Sequence, residues 1–187
     1  MSKSKLTPRE IEILVLRAKK GDSDAFARLY DEFVDQIYRY IYFKVSKNDA
    51  VDLTENVFLK VWENLKKYKS GRQYFSSWIF KIAHNAVVDH YRLSKTFTSL
   101  EYDVPDERKE VNPAYLMEQK ISSDVLRKAI SRLKGKYQQI LVLKYINELE
   151  NREIARIMRR SEGSLRILKF RALKALRQIL EDMNISY

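Results

Sequence analysis

The stretch NELENREIARIMRRSEGSLRILKFRALKAL, residues 147–176, constrains this chain more than any other, because its apolar pattern suits two short helices joined by a basic turn. Ile154, Ala155 and Met158 recur at the i, i+1, i+4 spacing of a buried stripe. Ser161 opens the second helix, since its hydroxyl can accept a bond from a backbone N–H two or three residues on. Leu165, Leu168, Ala172 and Leu176 then keep an apolar stripe, which leaves Arg166, Lys169, Phe170 and Arg171 on display. This is the layout of a helix-turn-helix, whose second helix offers its N-terminal half to base edges in the major groove. An antiparallel helix pair with a solvated basic face has the same pattern, so the rest of the chain has to decide.

Strand-type alternation is hard to find, and four glycines and three prolines in 187 residues leave little to break helices. The expectation is an all-α chain with room for one large domain or two small ones. The net charge of +11 is uneven: residues 1–97 carry 18 basic and 12 acidic groups, 98–115 carry 2 and 5, and 116–187 carry 16 and 8. Two basic blocks thus flank an acidic connector. Basic blocks suit a polyphosphate partner, because each neutralised phosphate releases counterions, although a merely soluble basic protein has the same balance. The chain has no cysteine, which removes disulfides and thiolate metal sites. His84 and His90 are six apart and do not share a helix face, so no metal and no cofactor is expected. The start, MSKSKLTPRE, lacks a long apolar run; no membrane span is expected, and a cytoplasmic location is the default reading.

From the N-terminus, Thr7-Pro8-Arg9-Glu10 is a capping box with proline at the first helical position, predicting a helix over 11–20 that Gly21-Asp22 ends. Phe26, Leu29, Tyr30, Phe33, Ile37, Tyr40 and Ile41 form a wide apolar stripe in a second helix, over 25–45. The third helix, over 49–67, has two unlike sides. Leu53, Val57, Val61 and Leu65 line one as core, while Asp52, Glu55, Asn56, Leu59 and Glu63 follow the other. Phosphates would repel that acidic stripe, but a basic protein surface would not; an ordinary solvated face with one stray leucine is the plain alternative. Residues 66–75 interleave cations with aromatics and lead into a fourth helix, over 76–93. That mixture suits single-stranded nucleic acid, where bases stack on rings beside a neutralised backbone, although several of the rings must be core. The helical period then vanishes from 96 to 113, where Pro105, Pro113 and five acidic residues mark a flexible acidic linker. Helices over 115–133 and 137–146, broken at Gly135, complete a four-helix second domain.

With these residues in view, the chain resembles a bacterial RNA polymerase sigma factor of the sigma-70 family, extracytoplasmic-function (ECF) type. The matching stretches are KKGDSDAFARLYDEF, DLTENVFLKVWENLKKY, SSWIFKIAHNAVVDHYR and LKYINELENREIARIM followed by SEGSLRILKFRALKAL, in the family order. The resemblance covers roughly residues 15–180. It implies a region 2 domain over 1–95, a linker over 96–113 and a region 4 domain over 114–187. It implies a transcription initiation factor, not an enzyme, whose partners are core RNA polymerase (the largest-subunit coiled coil and the flap), promoter DNA and an inhibitory anti-sigma factor.

Residue by residue, the resemblance makes Asp52, Glu55, Asn56, Leu59 and Trp62 the polymerase contact. Asn64, Tyr68, Ile82 and Asn85 fall where the family captures a base extruded from the melted minus-ten element, with Lys69, Arg72, Lys81 and Arg92 near the backbone. Flipping a base costs a few kcal/mol, and stacking it on a ring returns about 1–3 kcal/mol. Arg166, Phe170 and Arg171 fall at contact positions for the duplex minus-thirty-five element, with Arg159, Arg160, Ser164 and Lys169 beside them. An arginine there suits guanine, a contact worth about 1–3 kcal/mol of discrimination. This chain departs from the family at the turn, where Arg159 stands for the usual glycine and Arg160 for its apolar successor. It departs again where Ile167-Leu168 replaces a polar pair and Lys169 an apolar residue. Glu150 replaces a serine cap, with Asn151 able to serve instead. A stand-alone repressor would need a dimerisation helix, which is not obvious here. An RNA-binding or enzymatic helical protein rests on charge and aromatics alone.

Overall fold

The computed structural model describes residues 6–70, 74–97 and 120–183, the side chains of 94–97 and 120–124 excepted. Every regular element among them is helical: α1 (Pro8–Ala18), α2 (Ser23–Tyr42), α3 (Lys47–Asn64, ending in the 3-10 turn Leu65–Lys67), α4 (Phe75–Phe97), α5 (Lys120–Ser131), α6 (Gly135–Leu141, widening into a π turn over Val142–Ile146), α7 (Asn151–Met158) and α8 (Glu162–Asp182). The all-α expectation holds.

Local chemistry sets the helix ends. Glu10 N–H donates to Thr7 Oγ1 at 3.3 Å and Thr7 N–H donates to Glu10 Oε2 at 2.8 Å, which completes the capping box of α1. Gly21 supplies the reversal into α2 with φ 94°, a conformation that L side chains rarely adopt. Asp22 then caps α2, accepting from Ala25 N–H at 2.9 Å and pairing with Arg17 at 2.7 Å. The third helix starts at Lys47, two residues earlier than its periodicity predicts, because Ser46 Oγ accepts from Asp49 N–H. Gly135 is the first residue of α6; the break falls just before it, with Lys134 as N-cap. Of the expected linker, 96 and 97 belong to α4 and 98–113 lie outside the described residues, as do 115–119 of the expected fifth helix.

In the last third, the N-cap of α7 is Glu150 rather than Asn151, and Glu150 N–H donates to Glu153 Oε2 at 3.2 Å. That helix ends on Arg159 in the left-handed conformation (φ 51°, ψ 51°), after which Arg160 N–H bonds Ala155 C=O at 2.9 Å. Ser161 caps α8 as its sequence position predicts, accepting from Ser164 N–H at 3.3 Å.

Helices α1–α4 enclose one group of core side chains, with Tyr40, Tyr68 and Phe80 fully buried, and α6–α8 enclose another around Ile140, Leu143, Ile154, Leu165 and Ala172. The groups meet: α4 packs on α7 and the buried apolar residues form one cluster. The last carbonyls of a helix lack intrahelical donors, and those following α2 find theirs in the other group. Arg127 donates to Tyr42 C=O at 3.3 Å and Val45 C=O at 3.1 Å while lying over the Tyr42 ring, and Gln138 donates to Phe43 C=O at 2.8 Å.

Candidate nucleic-acid and protein interfaces

On α3, Asp52, Glu55, Asn56, Leu59 and Trp62 advance by three- and four-residue steps and all are exposed, opposite the buried Ala50, Thr54, Val57, Phe58 and Val61. Leu59 is 58 % and Trp62 43 % exposed. Phe26 on α2 holds the indole edge-on at 4.7 Å between ring centres, so the tryptophan is braced on one side and open on the other. Carboxylates flank open apolar area here, an arrangement that suits a protein surface carrying cations and complementary apolar groups.

The expected base-capture residues are placed unequally. Tyr68 is 1 % exposed, its ring packed against Phe75 and Trp78 at centroid distances of 5.5 and 5.3 Å. Its hydroxyl donates to Glu12 at 3.2 Å, and burial followed by the Glu12 charge pushes its pKa upward. That ring is covered in this conformation and offers no stacking face. Asn64 is half-buried, donating to Lys60 C=O at 2.9 Å and accepting from Lys67 Nζ at 2.8 Å. Ile82 is half-buried, whereas Lys69, Lys81, Asn85 and Arg92 are exposed; Arg92 lies 3.9 Å from Asp89. Arg72 lies outside the described residues. Two neighbours of this region touch the helix-turn-helix: Ser76 hydrogen-bonds Glu153, and Arg156 lies over the Tyr74 ring at 4.2 Å.

Around α8, Arg159, Arg160, Arg166, Phe170 and Arg171 are exposed, and Ser164 and Lys169 are half-buried. The Ile167-Leu168 pair divides: Leu168 is buried in the core, and Ile167 stands 57 % exposed. Two clefts run beside the helix. Lys136, Arg160, Ser164 and Arg171 line one, and Lys144, Arg166 and Lys169 line the other. The lysines of α6 were not among the expected contacts, because nothing in a linear pattern says that residues some thirty positions upstream will flank α8. Ile167 carried a usable signal, being set on the helical wheel away from Leu165, Leu168 and Ala172. Among the described residues no group of three or more potential ligands is placed to hold a metal ion, and no helix is long and apolar enough to cross a membrane.

Residues 29–96 match the family model described as Sigma-70 region 2, and residues 123–176 match Sigma-70, region 4. The chain is 34 % identical over 172 residues to the ECF RNA polymerase sigma factor BldN of Streptomyces coelicolor, covering 90 % of this chain and 65 % of that relative, just under two thirds of its length. It is 30 % identical over 180 residues to the ECF RNA polymerase sigma factor SigW of Bacillus subtilis, covering 90 % of this chain and 96 % of that one. Among solved structures, CnrH in complex with the cytosolic domain of CnrY shares the fold, with a TM-score of 0.69 at 20 % identity over 92 % of this chain and 98 % of that one.

Proposed function

Because this chain belongs to the sigma-70 family, in its extracytoplasmic-function group, we propose that it binds core RNA polymerase and directs promoter-specific initiation, reading a minus-thirty-five element as duplex and a minus-ten element as melted strand. The observation that carries this reading is the separation of surfaces. An acidic face with open leucine and tryptophan sits on α3, while α8 and the turn before it expose Arg159, Arg160, Arg166, Arg171 and Lys174. Phosphates would repel the first, which suits a protein partner instead.

In this reading α3 docks on a coiled coil of the polymerase largest subunit, and the region 4 helices reach the flap. The α4 face with Lys81, Asn85 and Arg92 tracks the opened strand together with Lys69 and Arg72. The captured base is bounded by Asn64, Ile82 and Asn85, while Tyr68, its ring buried against Phe75 and Trp78, offers it no stacking face. A domain division at 1–95, 96–113 and 114–187 follows the two roles. The activity is cytoplasmic and needs no catalytic residue, since strand opening makes and breaks no covalent bond. An anti-sigma partner belongs to the same reading, acting by covering the surfaces that polymerase needs.

The two promoter elements lie about 25 base pairs apart by their own positions, roughly 85 Å at 3.4 Å per pair. Helices α4 and α7 are in contact here, so the contact has to open before both elements are engaged. The 22 residues separating α4 from α5 reach at most about 75 Å when extended, which with the breadth of the domains suffices.

Purified chain and core polymerase should comigrate in a native gel and give run-off transcripts with a defined start. Folded protein that fails to bind core would reject the proposal. A footprint by the protein alone at nanomolar concentration would favour a stand-alone regulator instead.

A further inference from the structure

The two halves of the chain meet at the end of α2. Arg127 of α5 and Gln138 of α6 supply the donors for the carbonyls of Tyr42, Phe43 and Val45, so this stretch lies under the second half. Lys44 sits in the middle of it, its Nζ 4.9 Å from the centre of the Tyr40 ring, and Tyr91 of α4 donates to its carbonyl. The Tyr40 hydroxyl joins three helices. It lies 3.3 Å from His84 Nδ1 on α4 and is hydrogen-bonded to the Gln139 side chain on α6.

This seam gathers cations without an anion: among the described residues no carboxylate pairs with Lys44 or Arg127. Of the charges on the elements packed around α4, Lys44 of α2 acts on His84. Asp49 of α3 faces His90 instead, and Glu153 and Arg156 of α7 meet Ser76 and Tyr74 at the start of α4. Burial, and then the Lys44 charge, hold His84 below its ordinary 6.5, and burial pushes Lys44 down to about 8. Burial pushes Tyr40 upward, so its hydroxyl keeps its proton. While His84 is neutral, that hydroxyl can donate to Nδ1 and accept from Gln139. The imidazolium only donates at Nδ1, so the hydroxyl proton has to turn away, and a second charge is placed beside Lys44.

We infer that this seam is a proton-sensitive latch, in which protonation of His84 releases the second half of the chain from the first. Parting returns His84 and Lys44 to water and toward their ordinary values, so the parted form binds more protons. Acid therefore favours parting just below pH 6.5, and alkali favours closure from about pH 8 upward. Under the proposed function, on which this consequence rests, parting withdraws α7 from Tyr74 and Ser76 and frees both promoter surfaces.

The test uses the full chain. It has no cysteine, so Ala27→Cys on α2 and Lys174→Cys on α8, both at exposed positions, carry a donor and an acceptor dye. Energy transfer should fall as pH is lowered from about 7.5 to about 5.5 and rise from about 8 to about 10, with helix content by circular dichroism unchanged. His84→Gln should lose the acid response and keep the alkaline one; Lys44→Met should lose the alkaline response. His84→Asn repeats the test if the glutamine variant loses helix content. Energy transfer that ignores pH, or an acid response that persists without His84, overturns the inference even if the chain binds core polymerase. A chain that responds as described yet fails to bind core polymerase supports the latch and contradicts the proposed function.

Discussion

Arg159 is where stability and DNA binding should pull in opposite directions. It ends α7 at φ 51° and ψ 51°, a conformation that costs a side chain with a Cβ about 1–2 kcal/mol. Glycine removes this cost but returns about 0.5–1 kcal/mol through the greater freedom of the unfolded chain. Arg159→Gly should therefore stabilise the fold by about 0.5–1 kcal/mol, a rise in Tm of about 1–4 °C for a chain of this size. The Arg160 N–H to Ala155 C=O bond that closes the turn survives the change, since it uses backbone atoms alone. The lost guanidinium is exposed and sits at the turn that the proposed function sets against the upstream duplex. Removing one phosphate contact should lower the slope of log affinity against log salt by about 0.9, with weaker binding on every sequence alike. Thermal unfolding by circular dichroism reads the first effect, and holoenzyme binding across a potassium chloride series reads the second. A lower Tm would refute the strain reasoning, and an unchanged salt slope would refute the placement of Arg159 against phosphate.

Asp52→Arg reverses a charge on the exposed face of α3 and should lower core polymerase affinity by at least tenfold in a native gel, with the circular dichroism spectrum and Tm unchanged. Arg127→Ala with Gln138→Ala removes the donors that cap the carbonyls after α2; the radius of gyration from solution X-ray scattering should rise and each half should keep its helix content. Burial, and then the Lys44 charge, hold the His84 pKa below its ordinary value of 6.5. The unfolded chain therefore binds more protons just below that value, and the stability His84 contributes is whole above about pH 6.5 and is lost as pH falls toward the depressed value. His84→Gln should flatten that acid limb in denaturant titrations run between pH 7 and pH 5.

The parts legible in the sequence were those set by local chemistry and by period. The Thr7–Glu10 box and the Ser161 cap sit where their side chains say, and the unlike sides of α3 separate as its spacing predicts, because each depends on residues within a turn of one another. The resemblance to sigma factors rested on whole motifs in order and was matched by family models over both regions. Placement that depends on distant neighbours was not legible. The Tyr68 ring is closed off by Phe75, Trp78 and the Glu12 carboxylate, the last of them 56 residues away. The contact of α4 with α7 and the lysines beside α8 come from tertiary packing in the same way. Ile167 was an intermediate case: it stood out as a departure from the family pattern and lay off the stripe of Leu165, Leu168 and Ala172, and the burial of Leu168 agrees with its facing outward.

Permanganate probing of holoenzyme on a selected promoter tests the division into surfaces most directly, since the reagent marks unpaired thymines. Thymines of the minus-ten element should become reactive only when the chain and core polymerase are both present. The minus-thirty-five element should stay double-stranded and protected, and Asp52→Arg should abolish both signals together. Folded chain that binds core polymerase and leaves every thymine paired, or that protects the upstream element equally well without polymerase, would contradict the account.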